Sequence, residues 1–495
     1  MRHNILIGGS AGTGPNILTH LLGEALVKHG YYVFYSRDYQ SLIRGGHNFN
    51  VLTFSEEPVF SNDSKIDVLV CLDENTEKIH KKELKEKGII LNGKYENMYF
   101  AGRLFKLLCV DFKILDDELK KLEKRYAENI KEAKEGYNAE KKEVCKIISK
   151  KSKNYFINGN QGISEGAIKS GLDVYYAYPM TPATGVLAEL ANIKGNHLVL
   201  ELENEIACIN AAVGSSIAGM KSMIGTSGGG FDLMTEALSM TGMAEIPLVL
   251  YLSQRPGPGT GVATYTGQGD LQMARHSGHG EFSRLLVAPG DPKEAEELVS
   301  ECFYFSQKYK IPTIILGDKH IAECFYTLNG NPKITKSEKT TTKLERYNSY
   351  EKTQTGEATE EAEIIEKNVV ERLKKKWAIE KDASKFSQYE VYGNKKSKNI
   401  IVSYGSTKGA ILDAIKDLDV KFVQIKYIEP FPKEVRRELE GRNLILVENS
   451  ATGMLADVIA EKILIQISDN KKILRMDGRP FLANELRKEI ERRIR

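Results

Sequence analysis

The sequence predicts an α/β protein made of three successive parallel-sheet domains, and three observations carry that expectation. Length is the first: 495 residues correspond to roughly three domains of about 150 residues each. The second is the amino-terminal pattern, where the apolar run Asn4–Ile7 meets Gly8-Gly9-Ser10-Ala11-Gly12-Thr13-Gly14 and then the apolar-periodic Ile17–Val27. That order reads as strand, tight turn and helix. Third, short apolar runs recur along the whole chain between polar or helical stretches, which is the signature of strands in a layered α/β sheet.

Taken in order, Tyr31–Tyr35, Ile66–Leu72 and Gly88–Leu91 supply further strands of the first domain. Leu115, Leu119, Leu122, Tyr126 and Ile130 then recur at helical spacing among many charges and close that domain, residues 1–152. The second domain, 153–330, starts its α/β pattern at Gly159, with strands at Val174–Ala177, Leu198–Leu200, Pro247–Leu252 and Pro312–Leu316 and glycines gathered at 225–230 and 255–269. Residues 331–392 are rich in Lys, Glu and Thr and read as a charged surface connector containing a helix near Glu360–Trp377. The third domain, 393–495, shows Asn399–Tyr404, Lys421–Ile425 and Asn443–Val447 as strands.

Composition narrows the function classes. Hydrophobic residues are 41% and charged residues 28%, an ordinary globular balance. The net charge of +3, from 70 Lys and Arg against 67 Asp and Glu, is too small to hold nucleic acid or an anionic membrane. Apolar runs such as Ile246–Leu252 fall far short of the ~20 residues of a membrane span, and the first one ends at once in glycine, unlike a signal peptide. A cytoplasmic location is the expectation. The six cysteines never come closer than 22 positions, so neither an iron–sulfur cluster nor a structural metal site is expected on this chain.

Several motifs admit two readings each. In the first glycine turn, Gly9 and Gly12 let backbone N–H groups approach a phosphate at a helix start, or simply close the turn. The spacing departs from GxGxxG, although Asp38 lies about 24 residues past the last glycine, near where a ribose-binding acid of a nicotinamide site stands. Arg44 beside Gly46 binds an anion or ties down a loop. Tyr178-Pro179-Met180-Thr181-Pro182 follows a strand, and its prolines fix the Thr181 hydroxyl in a rigid turn. Glu205, at the start of the small-residue helix Ile206–Gly219, is a helix cap by position alone. Ser227 and Gly228 open another helix, Arg255-Pro256-Gly257-Pro258-Gly259-Thr260-Gly261 follows a strand, and Gln268-Gly269-Asp270 comes next. His276 and His279 have no third ligand nearby and read as loop histidines.

The order of these motifs resembles the alpha subunit of 2-oxoacid:ferredoxin oxidoreductases, in the form with a gamma domain fused at the amino terminus. GGSAGTG and SLIRGGH match in the first domain, and YPMTP, ENEIACINAAVGSSIAG, TSGGGFDLMTE and RPGPGTG in the second. Gly405-Ser406-Thr407, Glu429-Pro430-Phe431-Pro432 and Glu448-Asn449 resemble the carboxy-terminal domain of transketolases. The resemblance implies a gamma-type domain, a pyrimidine-binding thiamine diphosphate domain and a transketolase-like domain. It also implies oxidative decarboxylation of a 2-oxoacid to an acyl-coenzyme A, with electrons passed to ferredoxin. The substrate favoured is 2-oxoglutarate, with pyruvate and branched-chain oxoacids left open. No Gly-Asp-Gly occurs in the chain, so the diphosphate, its Mg2+ and the iron–sulfur cluster are expected on a separate beta subunit.

Residue by residue, the resemblance makes Glu205 the carboxyl group that activates the cofactor through its pyrimidine N1′, nine positions before Gly214. Thr181 is expected to contact the 2-oxoacid carboxylate, and Tyr178, Pro179, Ser227 and Gly228 to line the cofactor. Relatives carry a Lys or Arg shortly after the RPGP loop, where this chain has Tyr265, so Arg255 or Arg275 is expected to supply the missing charge. Gly9, Gly12, Arg44 and Gly46 are the expected coenzyme A contacts. The competing reading is a nicotinamide-binding dehydrogenase or a non-catalytic nucleotide-binding module, resting on the first glycine turn alone.

Overall fold

A computed structural model describes residues 2–40, 46–122, 125–144, 147, 150, 152–340 and 347–494. The chain forms two compact units: 1–158 with 324–331 and 481–488, and 159–323 with 332–480 and 489–495. Three sheets with flanking helices make the protein α/β.

The first unit is a seven-stranded sheet. His3–Ser10 pairs in parallel with Ile66–Cys71, which pairs in parallel with Leu84–Leu91. On its other edge His3–Ser10 pairs antiparallel with His47–Ser55, which in turn pairs antiparallel with Tyr32–Asp38. Phe325–Leu328 and Tyr155–Asn158 complete the sheet; both fall inside the segment expected as 153–330. Apolar periodicity passes over His47–Ser55, because its polar side chains point inward. Asn50 donates to Asn16 and Thr19 at 3.0 and 3.1 Å, and Asn62 donates to Thr53 at 2.8 Å. Asn50, Thr53 and Asn62 are thus each paired, which offsets the desolvation cost of placing them there.

In the second unit a seven-stranded sheet runs in the order Tyr427–Glu429, Leu285–Val287, Pro312–Asp318, Leu248–Gln254, Ser222–Thr226, Val174–Ala177 and Leu198–Glu201. All neighbours are parallel except Tyr427–Glu429, an antiparallel edge strand contributed from the later part of the chain. The third sheet is Tyr389–Gly393, Lys421–Ile425, Asn399–Tyr404, Asn443–Glu448 and Lys472–Leu474, parallel except for the first pair. Tyr389–Gly393 begins within the stretch read as connector and ends at the first residue expected of the third domain, and the connector's helix extends over Ala362–Ala383. One apolar core, including Leu250, Leu252, Ile314, Val402, Val423 and Leu446, is shared by the second and third sheets. No described helix is long and apolar enough to cross a membrane.

Candidate active site

Strand order decides where a site forms in the second sheet. From Val174–Ala177 the chain moves outward to Leu198–Glu201 and then returns to lay Ser222–Thr226 on the opposite side. The loops leaving Ala177 and Thr226 therefore diverge, and in open α/β sheets such a switch point leaves a crevice at the carboxyl ends of the strands. Leu248–Gln254 is the next parallel strand, and Arg255 follows it. The strands that precede the Thr181, Glu205, Ser227 and Arg255 motifs thus all belong to this sheet and end at this edge.

Glu205 is the first residue of the helix Glu205–Ile217. Its start is fixed by Asn204, whose side chain accepts from the Ala207 N–H at 2.8 Å. Tyr176 and Ser215 share a hydrogen bond of 2.8 Å that ties the helix to the strand before the Thr181 loop. Glu205 is only 5% exposed, yet among the described residues no hydrogen bond reaches its carboxylate. A methyl group placed on Gly230 would lie 2.8 Å from Glu205 Oε1 and 2.3 Å from Thr226 Oγ1. Gly230 therefore admits the carboxylate to the start of the Gly228–Leu233 helix. Burial and the Glu205 charge push the nearby Cys208 thiol up to about 11, keeping it protonated.

The Thr181 loop is held from the neighbouring strand end. Arg255 Nη1 donates to the Thr181 carbonyl at 2.9 Å, and Met180 Sδ lies 3.8 Å from Thr226 Oγ1. Arg255 is 8% exposed, its guanidinium is held below its usual range by burial, and its Nε has no hydrogen-bond partner. Ser227 Oγ and Asp270 Oδ2 are likewise buried without partners. Asp270 Oδ2 would lie 2.8 Å from a methyl group on Gly228, so three unsatisfied polar atoms and two required glycines meet at one edge. Burial and the charge of Asp232 push the Asp270 carboxyl up to about 6 against the opposing pull of Arg255.

Of the expected site residues, Thr181, Glu205, Ser227, Gly228 and Arg255 are thus brought together; Tyr178 and Pro179 are exposed on the loop just before Thr181. Tyr265 is half-buried, with the Arg479 guanidinium 3.7 Å above its ring and Thr266 N–H donating to the Gly478 carbonyl at 3.0 Å. Arg275 is committed elsewhere, paired with Glu461 at 2.7 Å and close to Glu429. Asp270 at this edge and Arg479 over Tyr265 are residues that motif reading did not single out as candidates. In the first unit, Gly9 lies in the strand His3–Ser10, Gly12 lies in the turn after it, where the Thr13 hydroxyl donates to the Ser10 carbonyl at 2.8 Å, and Gly46 has a φ of +90°. Arg44 lies outside the described residues. The antiparallel strand His47–Ser55 separates Asp38 from the strand that carries the glycine turn, so Asp38 does not take the adjacent position of a ribose-binding acid.

Two family models match the chain: "Pyruvate flavodoxin/ferredoxin oxidoreductase, thiamine diP-bdg" over residues 165–391, and "Pyruvate ferredoxin/flavodoxin oxidoreductase" over residues 4–94. The chain is 28% identical to a 2-oxoacid:ferredoxin oxidoreductase subunit alpha of Sulfolobus sp over 619 aligned positions, covering 99% of this chain and 96% of the relative. The chain belongs to the 2-oxoacid:ferredoxin oxidoreductase family. It is an alpha subunit of that oxidoreductase. A second relative, the 2-oxoglutarate synthase subunit KorA of Methanocaldococcus jannaschii, is 28% identical over 59% of this chain and 87% of its own.

The fold of a 2-oxoglutarate:ferredoxin oxidoreductase from Magnetococcus marinus, solved with 2-oxoglutarate, coenzyme A and succinyl-CoA bound, matches with a TM-score of 0.89 at 23% identity and complete coverage of both chains. In this alpha subunit, the segment matched by the thiamine diphosphate-binding model contains every residue gathered at the edge described above. Those residues fit such a cofactor. The carboxylate of the buried Glu205 faces Gly230, and Ser227 Oγ, Arg255 Nε and Asp270 Oδ2 are buried at the same edge without partners. Among the described residues no group of three or more His, Cys, Asp or Glu could hold a metal ion.

Proposed function

We propose that this alpha subunit binds the aminopyrimidine of thiamine diphosphate at the carboxyl edge of its second sheet and, with a separate beta subunit, oxidatively decarboxylates 2-oxoglutarate to an acyl-coenzyme A with electrons passed to ferredoxin. The single observation that carries the reading is Glu205: a residue 5% exposed whose carboxylate has no hydrogen-bond partner among the described residues, at a site where Gly230 makes room for it. When bound, thiamine diphosphate supplies the electron sink that lets a 2-oxoacid lose carbon dioxide. Glu205 holds and returns a proton at its carboxyl oxygen, which Gly230 leaves room for at the start of the Gly228–Leu233 helix. Thr181 and Arg255 orient the 2-oxoacid carboxylate; the Arg255 contact to the Thr181 carbonyl keeps the loop and the guanidinium in register. Gly9, Gly12, Arg44 and Gly46 are the proposed coenzyme A contacts, a glycine turn and a cation suited to phosphate.

The beta partner is supported by what the sequence leaves out and by its exposed surface. No Gly-Asp-Gly and no cysteine cluster occurs for the diphosphate metal or an iron–sulfur centre, so those parts are assigned to the partner. Exposed apolar side chains Leu198, Leu200, Ile206, Leu233 and Val262 lie in the segments that build the edge, beside Tyr178. Such residues suit a protein surface that would exclude water from the cofactor. The relatives named 2-oxoglutarate synthase support the substrate choice. The test is co-expression with the beta chain, followed by ferredoxin reduction on a panel of 2-oxoacids with coenzyme A. The expected result is activity only in the assembled complex, highest with 2-oxoglutarate; full activity from this chain alone sinks the split-site reading.

A further inference from the structure

Asp270 is a buried acid in a place that does not explain itself. Its backbone is fixed, because its N–H donates to the Gln254 side chain at 2.9 Å, and its Oδ2 is packed over Gly228 with no hydrogen-bond partner. Arg255 lies near enough to lower its proton affinity, yet among the described residues neither Asp270 Oδ2 nor Arg255 Nε has a hydrogen-bond partner. Two complementary groups that stop short of one another, each with a buried atom left over, mark a gap that a third polar group completes.

We infer that Asp270 is a further substrate-binding residue of this alpha subunit: with Arg255 it receives the carboxylate of the 2-oxoacid, Arg255 donating from Nε while Asp270 donates from a protonated Oδ2. Charge counting gives the reason. If Asp270 is ionised, it already neutralises Arg255, and an incoming carboxylate meets no net positive charge. Once Asp270 carries a proton, the same carboxylate meets one uncompensated guanidinium and two donors. Of the groups facing Asp270, Asp232 on the Gly228–Leu233 helix favours the proton and Arg255 opposes it. Tyr404 from the third sheet is a buried phenol that the Asp270 charge helps keep neutral. The balance leaves Asp270 close to half-protonated near pH 6, and a bound carboxylate adds a like charge that moves it further toward the neutral form. Well above pH 6 one proton is taken from solvent as the substrate carboxylate enters and is released when it leaves, and the uptake falls toward half a proton near pH 6; no bond to carbon is involved.

This inference rests on the proposed site, so its test separates the two. In the assembled holoenzyme, KM for 2-oxoglutarate is measured from pH 5.5 to 8.5 for the wild type, Asp270→Asn and Glu205→Gln. Wild-type KM should rise by up to tenfold per pH unit above the Asp270 titration, since only the protonated fraction binds. Asp270→Asn keeps a donor without the charge, so its KM should stay level across that range and lie well below the wild-type value at pH 8. A wild-type KM that is level from pH 6 to 8, or an Asp270→Asn profile parallel to the wild type, overturns the inference even if the variant assembles poorly. Glu205→Gln with undiminished turnover overturns the site reading itself. Proton uptake on 2-oxoglutarate binding, read by calorimetry in buffers of different ionisation enthalpy, gives a readout independent of turnover.

Discussion

At the scale of single residues, the site is a set of buried polar atoms that the protein leaves unpaired. Such atoms are costly, so they point to a ligand rather than to stability. Thr181→Val should raise KM for the 2-oxoacid with little change in kcat, because a substrate contact is lost while cofactor activation is kept; steady-state kinetics of the complex check this. Asp270 allows a test on this chain alone. Its folded-state carboxyl titrates near 6, above the usual 3.8, so the stability it contributes is full below pH 4 and is lost as pH rises through 6. Asp270→Asn removes that loss. Its melting temperature should therefore exceed the wild type at pH 8 by an amount matching about 1–3 kcal/mol, with the gap shrinking toward pH 4. Glu205, Thr181 and Arg255 were legible because each stands in a motif with a recognisable order. Asp270 was not, since an acid after Gln268-Gly269 looks like any loop residue until the fold lays it over Gly228. Arg275 misled for the converse reason: only the fold pairs it with Glu461.

At the scale of elements, the glycines are the parts that cannot be exchanged. Gly230 has an ordinary helical backbone, so its role is spatial: an added methyl would press on Thr226 Oγ1 at 2.3 Å and on Glu205 Cγ at 2.7 Å. Gly230→Ala should cost about 1–3 kcal/mol from overpacking and displace the Glu205 carboxyl, lowering kcat of the complex while leaving the circular dichroism spectrum intact. Val174–Ala177, Leu248–Gln254 and Pro312–Asp318 of the second sheet were readable as apolar runs because both of their faces are buried, whereas the shorter buried strands Ser222–Thr226 and Leu285–Val287 were passed over. His47–Ser55 and Tyr389–Gly393 escaped for physical reasons. One hides its polar residues in a hydrogen-bonded interior; the other is an antiparallel edge strand with every residue partly exposed, so no apolar run marks it.

At the scale of the whole molecule, buried charge links the later sheet to the middle one. Lys408, after the strand Asn399–Tyr404, pairs with Asp291 at 2.5 Å and Glu294 at 2.6 Å at the start of the helix Pro292–Tyr309, and Gln424 also donates to Glu294. Lys408→Met would strand two buried carboxylates and should cost about 3–5 kcal/mol, read as a lowered denaturation midpoint for this unit. No sequence pattern announces that cluster, because Lys408 and Gln424 lie more than a hundred positions from the two carboxylates. The three-sheet α/β class, by contrast, was visible from strand runs and glycine turns. What ties the levels together is the claim that Glu205 holds the proton that activates thiamine diphosphate in the complex with the beta subunit. The most direct measurement is hydrogen–deuterium exchange at the thiazolium C2 of the bound cofactor, compared between wild type and Glu205→Gln with subunit association verified by gel filtration. The account predicts that exchange slows by about a hundredfold or more in the variant while association is retained; exchange at the wild-type rate in an intact complex would contradict it.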